Sequence, residues 1–198
     1  MKKIIISAII SFSMLISSGA AVAQTGAWQI DKAHSNIYFD IRHTFASVRG
    51  QFDDFTGTVN FDPDSIKEGH VEFRVNVASV NTNIDQRDEH LRTADFFDAG
   101  KFPYMTFKSS RVRHVRDQNY ILEGELTVKD VSKQVEIPFE YLGMQENPMK
   151  KNQMVAGFEG IFSINRLDYN VGSGKFADMG VVGRTVNIKI ALELLKDK

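Results

Sequence analysis

Five histidines and no cysteine bound the chemistry open to this chain. His34, His43, His70, His90 and His114 show no metal-ligand spacing of the His-x-x-x-His kind. A zinc site without cysteine would need three of them to converge with a carboxylate, so surface or hydrogen-bonded roles are the simpler assignment. Asp88-Glu89-His90 invites an acid–base reading, but three successive helical residues point in different directions. His34 and Ser35 cannot act as a dyad on a strand, where neighbours face opposite ways. Gly172-Ser173-Gly174-Lys175 has a glycine–lysine flavour of a phosphate loop, yet it lacks the preceding glycine spacing and the Lys-Ser/Thr ending. The expectation is a protein that is not an enzyme and has no metal or cofactor of its own.

The N-terminus sets the compartment. Lys2 and Lys3, the apolar run Ile4 to Ile16 and the small residues Ala21-Val22-Ala23 describe a secretory signal peptide cleaved after Ala23. The run is broken by serines and falls short of the roughly 20 apolar residues that a membrane anchor needs. Export to a bacterial periplasm is expected, with no stable anchor and at most transient contact with a membrane. Residues 24–198 suit one domain, whose stability must come from burial because no disulfide is available. Charges of both signs are mixed throughout, which excludes the basic stripe that nucleic acid requires.

Hydrophobic alternation with a period of two recurs along the domain. Eight strands are expected: Trp28 to Arg42, Val48 to Phe61, Val71 to Val80, Tyr104 to Val115, Tyr120 to Val128, Val135 to Tyr141, Met154 to Ile164 and Val181 to Leu195. Gly50 and Gly57 suggest bends or bulges, and Pro138 an edge or a non-bonded position. Short strands joined mostly by turns predict an all-β fold, an eight-stranded antiparallel up-and-down barrel. One stretch departs from this pattern. Near residues 84–93 the spacing is helical, with Asn83 or Thr82 as expected N-cap and Phe96, Phe97, Gly100 and Pro103 ending the insert. The insert and the loop 166–180 are both candidate lids.

Fifteen phenylalanines stand against a single tryptophan. The inward-face candidates are Phe39, Ile41, Phe55, Val59, Phe61, Phe73, Val75, Val77, Phe107, Leu122, Leu126, Phe139, Phe158 and Phe162. Eight strands enclose a space that side chains just fill or that holds one small ligand, so these residues either pack the barrel or line a pocket. In the second case a long chain threads between them, and Arg87, His90 and Arg92, with Arg166 from the other loop, are candidates to meet its polar head at the mouth. An enzyme acting on a bound lipid or quinone and a stress-related interaction protein with a filled barrel remain open beside a carrier.

Specific segments resemble the YceI-like, polyisoprenoid-binding proteins of bacteria. They are Trp28-Gln29-Ile30-Asp31 with His34-Ser35, His43 to Gly50 leading into Phe52, Phe55 and Gly57, and Asn81-Thr82. Arg87-Asp88, His90-Leu91, Asp95-Phe96-Phe97-Asp98, Phe102-Pro103, Gly124 to Val128 and Asn165 to Tyr169 continue the match. Asp130 departs from the family's usual turn glycine, and Tyr169-Asn170 replace its phenylalanine–glycine. The resemblance implies a lipocalin-like barrel with a long apolar tunnel, an isoprenoid or other long-chain lipid as ligand, a periplasmic location and frequent homodimers.

Overall fold

The computed structural model describes residues 28–198; the expected signal peptide lies outside the described residues. Eleven strands form in chain order: β1 (Gln29–Ile30), β2 (Asn36–His43), β3 (Ala46–Phe52), β4 (Phe55–Asn60), β5 (His70–Asn76), β6 (Val80–Asn81), β7 (Tyr104–Arg116), β8 (Asn119–Val128), β9 (Val131–Glu146), β10 (Gln153–Asn165) and β11 (Val182–Asp197). Two helices interrupt them, α1 (Asp85–Arg92) and α2 (Gly174–Asp178). Strands β4, β5, β7, β8, β9, β10, β11, β2, β3 and β6 are neighbours in that order, and β1 pairs with β11. Every pair is antiparallel.

The path begins and ends in a single bent hairpin. β3 runs into β4 after residues 53–54, and β5 into β6 after a 3-10 turn, Val77–Ser79. Counted as continuous strands, these two make the meander eight-stranded, and the β11–β2 pairing curls it round. The higher count of eleven arises from these two breaks and from β1, which a turn at residues 31–35 separates from β2.

Polar side chains, not glycines, make the break. Asp53 accepts from the Asn81 side chain at 2.9 Å, and Asp54 accepts from that of Asn76 at 3.1 Å. Ser79 Oγ accepts the Asp54 amide at 3.0 Å. Short polar groups compete with the ladder for backbone partners, and here they win locally. Gly50 and Gly57, expected as bends, lie inside paired β3 and β4. Their role is close approach: the ring of Phe39 lies over Gly50, and that of Phe73 over Gly57.

Pro138 sits where a missing N–H does no harm. It pairs with Ile121 of β8, while the β9–β10 ladder ends at Phe139↔Gly160. Beyond that point β9 and β10 no longer pair with each other, and the 3-10 turn Arg166–Tyr169 lies against β9, with Lys133 3.7 Å from Asp168.

Below the barrel, the turn after β1 is tied to β11. Asp31 donates its amide to the Glu193 carbonyl at 2.9 Å, and its carboxylate meets His34 Nδ1 at 2.9 Å. That hydrogen bond lowers the Asp31 pKa from 3.8 and raises that of His34 from 6.5. The raised histidine contributes stability fully below its unfolded value and loses it as pH rises through its folded value. The lowered aspartate contributes above its unfolded value and loses it as pH falls through its folded one. The destabilisation caused by His34→Gln is therefore expected to be greatest between 3.8 and 6.5 and to shrink on either side. Urea midpoints at several pH values check this.

A methyl group added at Gly57 would lie 2.6 Å from the Glu72 carbonyl oxygen and 2.8 Å from a Phe73 ring carbon. Backbone cannot yield as a flexible side chain can, so Gly57→Ala should cost about 1–3 kcal/mol. A thermal melt would show it as a drop of roughly 2–4 °C per kcal/mol.

Candidate functional site: an apolar cavity under two lids

The inward faces of the strands do not meet. They enclose a cavity of about 650 Å³ whose wall draws on nearly every strand. That volume falls inside the roughly 300–1,000 Å³ of typical small-molecule sites. Phe39 and Ile41 of β2, Val59 and the following Phe61, Phe73 and Val75 of β5, Phe107 of β7, Leu122 and Leu126 of β8, Phe139 of β9, and Phe158 and Phe162 of β10 all face it. Ile188, Ile190 and Leu192 complete the circuit on β11. No aspartate or glutamate lines the cavity among the described residues, whereas Arg87, Arg166, His43 and His90 do.

The floor is a knot of rings. Phe61 lies 5.1 Å from Tyr120, 5.6 Å from Phe139, 5.3 Å from Tyr141 and 5.4 Å from Phe158, centre to centre. Edge-on contacts at these distances add to the burial each ring gains. Burial also raises the Tyr141 phenol above its ordinary pKa, which keeps it protonated.

Helix α1 and the 166–180 loop lie at the other end. Arg87, His90 and Leu91 stand three and four residues apart, so one helix face carries all three to the cavity. Asp85 and Asp88 suit the positive N-terminus, but the cap differs from expectation. Ile84 holds the N-cap position without a side-chain bond, and Asn83 takes a positive φ of 62°. Thr82 turns instead to the buried Asp88 carboxylate, which accepts from its amide at 2.9 Å and from its hydroxyl. Arg87 donates to the Thr82 hydroxyl and carbonyl, each at 2.7 Å.

After α1 the chain drives two rings inward. Phe96 stacks on Phe176 of α2 at 5.7 Å, which joins the two lids, and Phe97 meets Phe52 edge-on at 5.9 Å. Arg166 anchors the second lid from within. It is 3% exposed and donates to the carbonyls of Gly183 at 2.7 Å, Val171 at 2.7 Å and Val182 at 3.3 Å. Tyr169 lines the cavity, its phenol raised in pKa by burial. Asn170 has φ 56°, a left-handed position where glycine is the commonest alternative.

Three expected site residues lie elsewhere. Phe55 packs solidly with Ile37, Phe52, Val75 and Val80, and does not border the open space. Val77 belongs to the 3-10 turn that breaks the third strand, where its amide bonds to the Pro103 carbonyl at 3.0 Å. Arg92 points away from the mouth and donates to the carbonyls of Ala78 at 2.8 Å and Val80 at 3.0 Å. Strand alternation missed Phe96, Phe97, Tyr169 and Phe176, which belong to the lids; the paired aromatics after the helical spacing signalled the first two. One cluster with metal-ligand chemistry, Asp31, His34 and Glu193, lies at the opposite end of the barrel.

Comparison with known proteins agrees with this architecture. The model of the YceI-like domain matches residues 28–194. The chain belongs to the YceI-like family. Protein YceI of Escherichia coli O6:H1 is 34% identical over 189 residues, 94% of each chain. The crystal structure of Burkholderia cenocepacia BcnA superposes with a TM-score of 0.74 at 27% identity, covering 83% of this chain and 98% of that one. A polyisoprenoid binding domain from Saccharophagus degradans shares the fold at 16% identity, with a TM-score of 0.64 over 87% of this chain and 99% of its own.

Removing the Arg166 side chain would leave the carbonyls it satisfies without their donor. Each dry carbonyl costs about 1–3 kcal/mol. Arg166→Ala is therefore expected to lower the melting temperature by several degrees and to speed amide exchange across residues 171–183, as hydrogen-exchange mass spectrometry would read.

Proposed function

We propose that this YceI-like protein is a carrier that holds one long apolar chain, of isoprenoid type, inside its barrel. The observation that supports it is the cavity: an apolar wall and an aromatic floor, with cationic side chains among its lining. A wall of this kind offers nothing to a polar substrate and much to a hydrocarbon. Burying ten methylenes is worth roughly 8 kcal/mol, the free energy of a micromolar complex before ordering costs are subtracted. The Saccharophagus degradans neighbour, described as a polyisoprenoid binding domain, favours an isoprenoid over a straight acyl chain.

Residues 1–23 read as a signal peptide, which would put the carrier in the periplasm, where a lipid between two membranes needs shielding from water. Among the described residues no helix is long and apolar enough to cross a membrane. Uptake and release would then proceed by movement of α1 with residues 93–98 and of the 166–180 loop, and no bond of the ligand would be made or broken.

Protein purified from the periplasm, extracted with organic solvent and analysed by mass spectrometry should yield a stoichiometric isoprenoid chain. A protein that emerges empty and also fails to take up added long-chain isoprenoids would overturn the proposal. Phe39→Glu places a carboxylate on the apolar wall and should abolish retention of the chain while the far-ultraviolet circular dichroism remains that of a β-barrel.

A further inference from the structure

Several cations of this protein meet carboxylates: on the outer wall Arg49 with Asp40, Lys108 with Glu72, Arg113 with Glu123 and Lys189 with Glu159, and toward the lids His90 with Asp95 and Arg184 with Asp178. At the lid end Arg87, Lys129 and Arg166 form no ion pair among the described residues. They are spent on neutral oxygens. Arg87 bonds to Thr82, Lys129 to the carbonyls of Phe96 at 2.9 Å and Asn170 at 2.8 Å, and Arg166 to three carbonyls.

Arg166 is the decisive case. A guanidinium buried without a counter-ion is costly, because carbonyl dipoles return only part of the hydration it loses. It has five N–H groups, and three hydrogen bonds to protein hold it among the described residues. A staple for the loop would need only those bonds, not a permanent positive charge beside an apolar cavity. Asp88, the buried carboxylate that follows Arg87 in the chain, is turned to Thr82 and does not line the cavity. The lining thus holds two arginines and no acid, in a chain whose formal charge is nearly balanced at −1.

Resting on the carrier reading above, we propose that the bound lipid carries an anionic head group, a phosphate or a carboxylate, held at the Arg87–Arg166 end of the cavity. Charge-assisted hydrogen bonds to an anion are stronger than those to a neutral oxygen, and low dielectric strengthens them further. A neutral alcohol or quinone would leave both guanidinium charges without a counter-ion, and a cationic head would be repelled. The chain then enters tail first and the head stays under the lids.

Three probes with one hydrocarbon separate the possibilities: geranylgeranyl phosphate, geranylgeranoic acid and geranylgeraniol, each below its aggregation limit and measured by calorimetric titration against the protein. At least one anion is expected to bind about tenfold tighter than the alcohol or better, a difference of about 1.4 kcal/mol. Whichever anion leads names the head group. Because Arg166 also holds the fold, the variant to use is Arg87→Gln, which should cut the ratio of anion to geranylgeraniol affinity at least fivefold. All three probes binding within threefold of one another would overturn this inference and leave the carrier reading standing. So would an anion preference that survives Arg87→Gln intact. Binding of none of the three would instead overturn the carrier reading itself.

Discussion

A β-ladder closed on itself must point half of its side chains inward, and the other features of this barrel are responses to that constraint. Closure satisfies most of the backbone and leaves an edge only where β9 and β10 part beyond Phe139 and Gly160. It also commits the inward positions of eight long strands to a shared interior. With phenylalanines at many of those positions the floor packs ring against ring, yet the upper part does not fill. An eight-stranded barrel can be filled by its side chains or can hold one small ligand, and here its upper part stays open.

What covers the open end is held by hydrogen bonds to backbone carbonyls more than by paired charges. Arg166, Arg92 and Lys129 each reach two or more main-chain oxygens across segments distant in sequence. Such bonds fix a loop's path without demanding a regular element there. Aromatic rings then complete the cover, since Phe176 of α2 stacks on Phe96 and meets His90 of α1 edge-on. A cover that relies on a few ring contacts and long side chains can open at lower cost than the ladder beneath it.

Parts of this architecture were legible in the residues. Strand alternation placed all eight long strands, because a half-buried strand imposes its period regardless of what it packs against. It also named most of the cavity wall, Phe39 to Phe162, since inward parity is a local property. Phe55 and Val77 failed for one shared reason. Both adjoin the break in the bent hairpin, where Asp53, Asp54 and Ser79 exchange ladder bonds for side-chain bonds. That exchange depends on Asn76 and Asn81, more than twenty positions away, and no local pattern shows it.

The sequence by itself therefore determined the fold class, the strand order, the apolar interior and the short charged helix, all of which follow from periodicity over a few residues. Only the tertiary structure decided that the interior stays partly empty, because packing is a matter of distances between strands. It alone placed both lids at one end and gathered Arg87 and Arg166, 79 positions apart, around a cavity without acids. Burial sets Arg166 apart from an ordinary surface charge, and burial is a property of the folded whole.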